Sequence, residues 1–200
     1  MRTFQTPLTM AAFLEASRGT WLNRRSIHHL DHQDDEAADS NLVIEPFGAD
    51  DPAVESICSS LGVARADAAG GGRFWWESNL KKGIRNDDYA AVLIDVPKQG
   101  DPRQGFLLRD VGYVEKQSVI STYAFADDGV LTITTRYDTN VGIERCWFVT
   151  DQVRMRVSSV QCLNGVSMTT YCTELRCPDA SELEAMAAQA RTLAASQPGD

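Results

Sequence analysis

The sequence predicts a mainly β protein, with about ten antiparallel strands wound up-and-down into a closed barrel. Short helices are expected at the N-terminus, between early strands and at the C-terminus. Three observations predict this. From residue 73 onward, apolar and polar side chains alternate through eight successive strand-length runs. Turn signals separate the runs: Pro97 to Gly100, Asp127-Asp128-Gly129, Asn140 to Gly142, and the hairpin pair Asn164-Gly165. Helical periodicity is confined to short stretches near residues 10, 52 and 182. Hairpin-linked strands in this number favour closure, because a barrel leaves no unpaired edge; a two-sheet sandwich is the competing arrangement.

In chain order, Met10, Phe13, Leu14 and Ser17 recur at helical spacing after Thr9, a suitable cap, and Gly19 stops the helix. Strands are expected over 24–32 and 41–46, separated by an acidic, turn-like segment at 34–40. Residues 52–61 read as a helix with Val54, Ile57, Cys58 and Leu61 on one stripe and Gly62 at its end. Gly70-Gly71-Gly72 reads as a loop, without the lysine and following helix of a phosphate-binding loop. Strands then follow at about 73–80, 89–97, 104–109, 118–126, 130–138, 142–150, 152–163 and 166–177. Pro178-Asp179 opens a C-terminal helix with an apolar stripe of Leu183, Met186, Ala187, Ala190 and Leu193, and 196–200 forms a frayed tail. The chain, 1–200, reads as one domain.

A formal charge of −9 argues against nucleic acid and anionic membrane surfaces as partners. No apolar run reaches the length of a membrane span. The five cysteines are odd in number, form no CxxC and follow no secretory leader, so buried free thiols in a reducing cytosol are expected. Arginine outnumbers lysine 15 to 4, which suits carboxylate or phosphate recognition and equally reflects a GC-rich genome. His28, His29 and His32 lack the companions of a metal site and read as strand residues.

The stretch 144–158 carries the most chemistry. Alternation puts Arg154, Arg156 and Ser158 on one strand face, opposite Val153, Met155 and Val157, and puts Glu144, Cys146 and Phe148 together on the preceding strand. The two guanidiniums stand roughly 7 Å apart along the strand. Such a stripe is either a solvated face or an anion site. Alternation alone favours the solvated face, because the valines and Met155 look like the core side.

Six motifs in order alter that balance. Trp21, Arg25 and His28-His29 come first, then Asp51-Pro52-Ala53-Val54 with Cys58, then the run from Gly71 through Trp75-Trp76 to Glu77. The remaining three are the run from Gly105 to Lys116, Glu144-Arg145-Cys146-Trp147-Phe148 with Arg154-Met155-Arg156-Val157-Ser158, and Tyr171-Cys172-Thr173-Glu174-Leu175-Arg176. Together they resemble the S-type (CpcS/CpeS) phycobiliprotein chromophore lyases over nearly the whole chain. Trp75 departs from the family pattern, which has a small residue there, and Arg24 beside Arg25 leaves the inward register open by one.

The resemblance implies a lipocalin-like barrel that binds a linear tetrapyrrole, phycoerythrobilin or phycocyanobilin, without covalent attachment. It then delivers the bilin through a thioether to a cysteine of an apo-phycobiliprotein α or β subunit. It implies no permanent cofactor, a cyanobacterial cytoplasmic location and a homodimer as the family's assembly. Arg25, Trp76, Arg154, Arg156 and Ser158 become the pigment-binding residues and Glu144 and Glu174 the acid candidates. The rival expectation is a lipocalin-type carrier of bilin, haem or lipid without transfer activity. Arg109-Asp110 reads as a structural pair or part of the acceptor-docking surface.

Overall fold

The computed structural model describes residues 4–31, 34–77, 85–112, 114–162 and 165–177, with positions 185, 188 and 192. The predicted C-terminal helix, apart from those three helical positions, lies outside the described residues. So do the tail, the end of the strand predicted at 73–80, and Asn164.

Ten strands close into one antiparallel barrel, each paired with its sequence neighbours, with β1 (Gly19–His29) meeting β10 (Gly165–Cys177) at the seam. Between them run β2 (Asp34–Gly48), β3 (Gly70–Glu77), β4 (Arg85–Lys98), β5 (Asp101–Arg109) and β6 (Val119–Phe125), then β7 (Leu131–Arg136), β8 (Asn140–Phe148) and β9 (Val153–Cys162). Alternation holds where one face packs inward: β6 buries Ser121, Tyr123 and Phe125 and exposes the residues between.

Three early expectations change. The turn expected at Asn140 to Gly142 is the start of β8, where Val141 pairs with Arg136 and Gly142 with Thr135. The acidic segment at 34–40 is strand, not turn, because its carboxylates face arginine and histidine side chains across the β1–β2 ladder. Arg24 bonds Asp39 at 3.1 Å, His28 meets Asp35 at 2.8 Å and His29 meets Glu36 at 2.9 Å. The triple glycine begins β3 instead of forming a loop. A Cβ at Gly71 would collide with the Leu93 carbonyl and the Phe47 ring, so the bare backbone lets three strands crowd together.

The helix α1 (Met10–Ser17) closes one end of the barrel. Thr9 accepts from the Ala12 amide, and Met10, Phe13 and Leu14 join Trp21, Leu42, Ile44, Leu107, Phe125, Leu131 and Phe148 in one core. Arg176 of β10 donates to the carbonyls of Ala16 and Arg18 at 2.6 and 2.7 Å, satisfying the orphan acceptors where α1 ends. A second helix, α2 (Pro52–Ser60), capped by Asp51, lies on the outside, packing Val54, Ile57 and Cys58 against Ile94, Val96 and Leu108. With one end plugged by apolar side chains, the polar interior lies toward the other.

Candidate functional site

A cavity of about 420 Å³ occupies the barrel away from α1, within the size range of small-molecule sites. Its wall includes Arg25, Asp39, Trp76, Arg109, Lys116, Glu144, Arg156, Ser158 and Thr170, drawn from seven strands and the segment after β5. The β9 register decides the ambiguity of the arginine stripe. Arg154 (4 % exposed) and Ser158 (8 %) are buried and Arg156 reaches the cavity, while Val153, Met155 and Val157 lie half-buried on the other face. Apolar alternation misleads here because the barrel interior holds a polar network. The apolar stripe is on the outside.

The network is built from facing rungs. Glu144 stands opposite Ser158, Cys146 opposite Arg156, and Glu174 opposite Arg154. The Arg154 Nε–H donates to Glu174 Oε2 at 2.6 Å, and its Nη1 donates to Ser17 Oγ at 2.7 Å. Its guanidinium also lies 5.0 Å from the centre of the Trp21 ring. Arg156 bonds the other Glu174 oxygen at 3.3 Å and pairs with Glu144 Oε1 at 3.7 Å. Burial pushes the Glu174 carboxyl up, but the two guanidiniums outweigh burial and hold it below the usual carboxylate range.

Five of the seven predicted residues therefore meet at one cavity: Arg25, Trp76, Glu144, Arg156 and Ser158. Arg154 and Glu174 do not line it. Glu174 is 0 % exposed and both lie beneath the wall, spent on each other and on the helix α1. The β1 register resolves the Arg24/Arg25 choice, since Arg24 pairs with Asp39 and Arg25 lines the cavity. Arg25 makes no ion pair or hydrogen bond with any described residue. Of the tryptophan pair, Trp76 faces inward, 6.0 Å below the Arg156 guanidinium, and Trp75 donates to Glu77 instead.

Arg109 is the residue sequence reasoning misplaced. It does not pair with Asp110: it reaches across the interior to Glu144 Oε2 at 3.4 Å. Asp110 turns back to accept the amides of Val92 and Val111, both at 2.8 Å. The signal was present in the sequence, for Leu107 and Arg109 share a strand face. Lys116 comes to the cavity because Glu115 ties its segment down, accepting from the amide and hydroxyl of Thr139 and from Asn140, at 3.1–3.2 Å. Among the described residues no cluster of His, Cys, Asp and Glu is arranged to hold a metal ion, and no helix is long and apolar enough to cross a membrane.

Comparison with known proteins places this barrel. The model of the CpeS-like protein family matches residues 9–177. A chromophore lyase CpcS/CpeS of Synechococcus sp. (strain WH8020) is 67% identical over 192 residues, covering 96% of both chains. A phycocyanobilin lyase subunit CpcS of Picosynechococcus sp. is 34% identical over 166 residues, covering 82% of this chain and 84% of its own. Among solved structures, the S-type phycobiliprotein lyase CpeS from Guillardia theta superposes with a TM-score of 0.68 at 27% identity, covering 86% of this chain and 94% of that one. A family match running from the N-cap of α1 to the last residue of β10 takes in every strand that builds the cavity, and on it the chain belongs to the CpeS-like protein family.

Proposed function

We propose that the protein is a bilin lyase: it holds a linear tetrapyrrole in the barrel cavity and hands it to a cysteine thiol of an apo-phycobiliprotein subunit in the cyanobacterial cytoplasm. The observation that carries this reading is that Arg25, which has no ion-pair or hydrogen-bond partner among the described residues, shares one cavity wall with Arg156 and Trp76. Two guanidiniums beside an indole face match a ligand with two propionates on a flat conjugated body. The curated relatives named as chromophore lyases support the same assignment.

Each residue then has a task. Arg25 takes one propionate with its full donor fork, and Arg156, already oriented by Glu174, takes the other. Trp76 supplies the stacking surface, and the Ser158 hydroxyl hydrogen-bonds a propionate or lactam oxygen. Glu144 accepts the pyrrole N–H bonds and serves as the proton relay at ring A. In the transfer, the acceptor sulfur bonds to the ethylidene carbon and the thiol hydrogen ends on the adjacent ring carbon; nothing leaves and nothing is oxidised. Glu174 is reassigned from acid to positioning residue, because a fully buried carboxylate bonded to two arginines does not reach the ligand.

The test is titration with phycocyanobilin or phycoerythrobilin, then addition of an apo-subunit. A red or blue shift of the pigment band followed by one zinc-fluorescent adduct, formed faster than without the protein, is expected. Glu144→Gln should slow transfer by roughly 10²–10⁴-fold with little change in binding. A spectral shift with no gain in transfer rate would leave a carrier, and no spectral shift would remove the bilin reading altogether.

A further inference from the structure

The inner wall carries two thiols that the transfer reaction does not use. Cys146 of β8, Arg156 of β9 and Cys172 of β10 stand opposite one another in register, and Arg25 of β1 flanks Cys172 on its other side. Thiols and guanidiniums thus alternate along one row. Arg25 and Arg156 reach the cavity, whereas Cys146 and Cys172 are 8 % and 1 % exposed. The Arg156 guanidinium donates to Cys172 Sγ at 3.3 Å while its bonds to Glu144 and Glu174 fix it in place over the row.

We propose that Arg156 covers these two thiols, so that the cavity yields its electrophilic ligand to an outside thiol instead of capturing it. The proposal rests on the bilin reading above. An ethylidene accepts any thiol within reach, and a cysteine in the binding wall would react intramolecularly, at an effective concentration no separate acceptor protein matches. A guanidinium beside a thiol ordinarily raises its thiolate character. Here burial dominates, pushing the Cys146 thiol up to about 12 and Cys172 above its ordinary value, with Glu144 and Glu174 acting in the same direction. The row therefore combines a steric cover with protonated sulfur.

Arg156→Ala tests the cover. The variant leaves Glu174 its shorter bond to Arg154 and leaves Glu144 its bond to Arg109, so no buried carboxylate is orphaned. Arg156→Thr, a strand-favouring replacement, serves the same purpose should the alanine variant not fold. The first readout needs no pigment: N-ethylmaleimide labelling of each cysteine, followed by peptide mass spectrometry. In the native protein Cys146 and Cys172 should stay unlabelled while the half-buried Cys162 reacts, and the variant should label both at least roughly ten-fold faster. The second readout is incubation with saturating phycocyanobilin, denaturation and zinc fluorescence. The variant should carry a covalent adduct that Cys146→Ser and Cys172→Ser together abolish, and the native protein none.

Labelling of Cys146 and Cys172 in the native protein as fast as Cys162, or no increase in the variant, overturns the cover. Exposed thiols in the variant without an adduct, while the native protein shifts the pigment spectrum, overturns its role in preventing capture. If the native protein shows no pigment shift, the bilin reading fails, and the maleimide result still decides whether Arg156 covers the thiols.

Discussion

Arg154 and Arg156 look interchangeable in the sequence, and the structure makes opposite predictions for them. Arg154→Ala removes the partner that bonds Glu174 at 2.6 Å and Ser17 at 2.7 Å, leaving a carboxylate that is 0 % exposed. Breaking a buried ion pair in this way costs about 3–5 kcal/mol. The lower part of that range applies, because Arg156 still reaches Glu174 at 3.3 Å. For a domain of this length each kcal/mol moves Tm by roughly 2–4 °C, so a drop of roughly 6–12 °C is expected. Arg156→Ala leaves both carboxylates paired and should lower Tm far less, while weakening pigment binding. The assay is thermal unfolding followed by circular dichroism, alongside a bilin titration of each variant. Replacing Arg154 and Glu174 together by apolar residues of similar size should recover most of the lost stability. An Arg154→Ala protein with native Tm, or one that is less stable with Arg156→Ala than with Arg154→Ala, would refute the division of labour between the two arginines.

Other expectations follow from single contacts. Asp95 is 3 % exposed and burial pushes its carboxyl from 3.8 up to about 6, with the Tyr123 hydroxyl donating to it at 2.8 Å. Because the folded value lies above the unfolded one, the part of the stability linked to Asp95 is full below about pH 4 and falls as pH rises toward 6. Asp95→Asn should therefore stabilise the protein by up to about 3 kcal/mol at pH 7.5 and by nothing at pH 4, as read by urea unfolding at both pH values. Trp76→Leu should weaken pigment binding by roughly 0.5–1.5 kcal/mol in an absorbance titration without loss of the fold. Glu115→Ala should speed amide hydrogen exchange at Asp138 and Thr139, whose N–H groups Glu115 accepts, while the core strands exchange as before.

Much of the architecture was legible because it rests on local rules. The α1 cap at Thr9, the apolar stripe of α2 and the turn before β7 are short-range signals, and a strand such as β6 announces itself by alternation. The acidic segment at 34–40 was not legible as strand, since its pairing depends on Arg24, His28 and His29 across the ladder. Nor was the triple glycine, whose role is to let β2 and β4 approach. The candidate site was legible in part. The polar residue types of the cavity wall stand out in the sequence, and six family motifs single them out.

By itself, the sequence determined about ten hairpin-linked strands, the resemblance to one family, and a set of arginines, acids and an indole as site candidates; barrel closure over a two-sheet sandwich was decided by the tertiary structure. Tertiary structure decided which way those residues face and what each is left free to do. Alternation specifies two faces of a strand without saying which is inside, and β9 turns its charged face inward because Glu144 and Glu174 on the flanking strands neutralise it there. The same closure takes Arg154 and Glu174 out of the cavity, brings Arg109 into it, and leaves Arg25 in its wall with no ion-pair or hydrogen-bond partner among the described residues. These outcomes depend on registry between residues far apart in the chain, such as Arg154 with Ser17, 137 residues away.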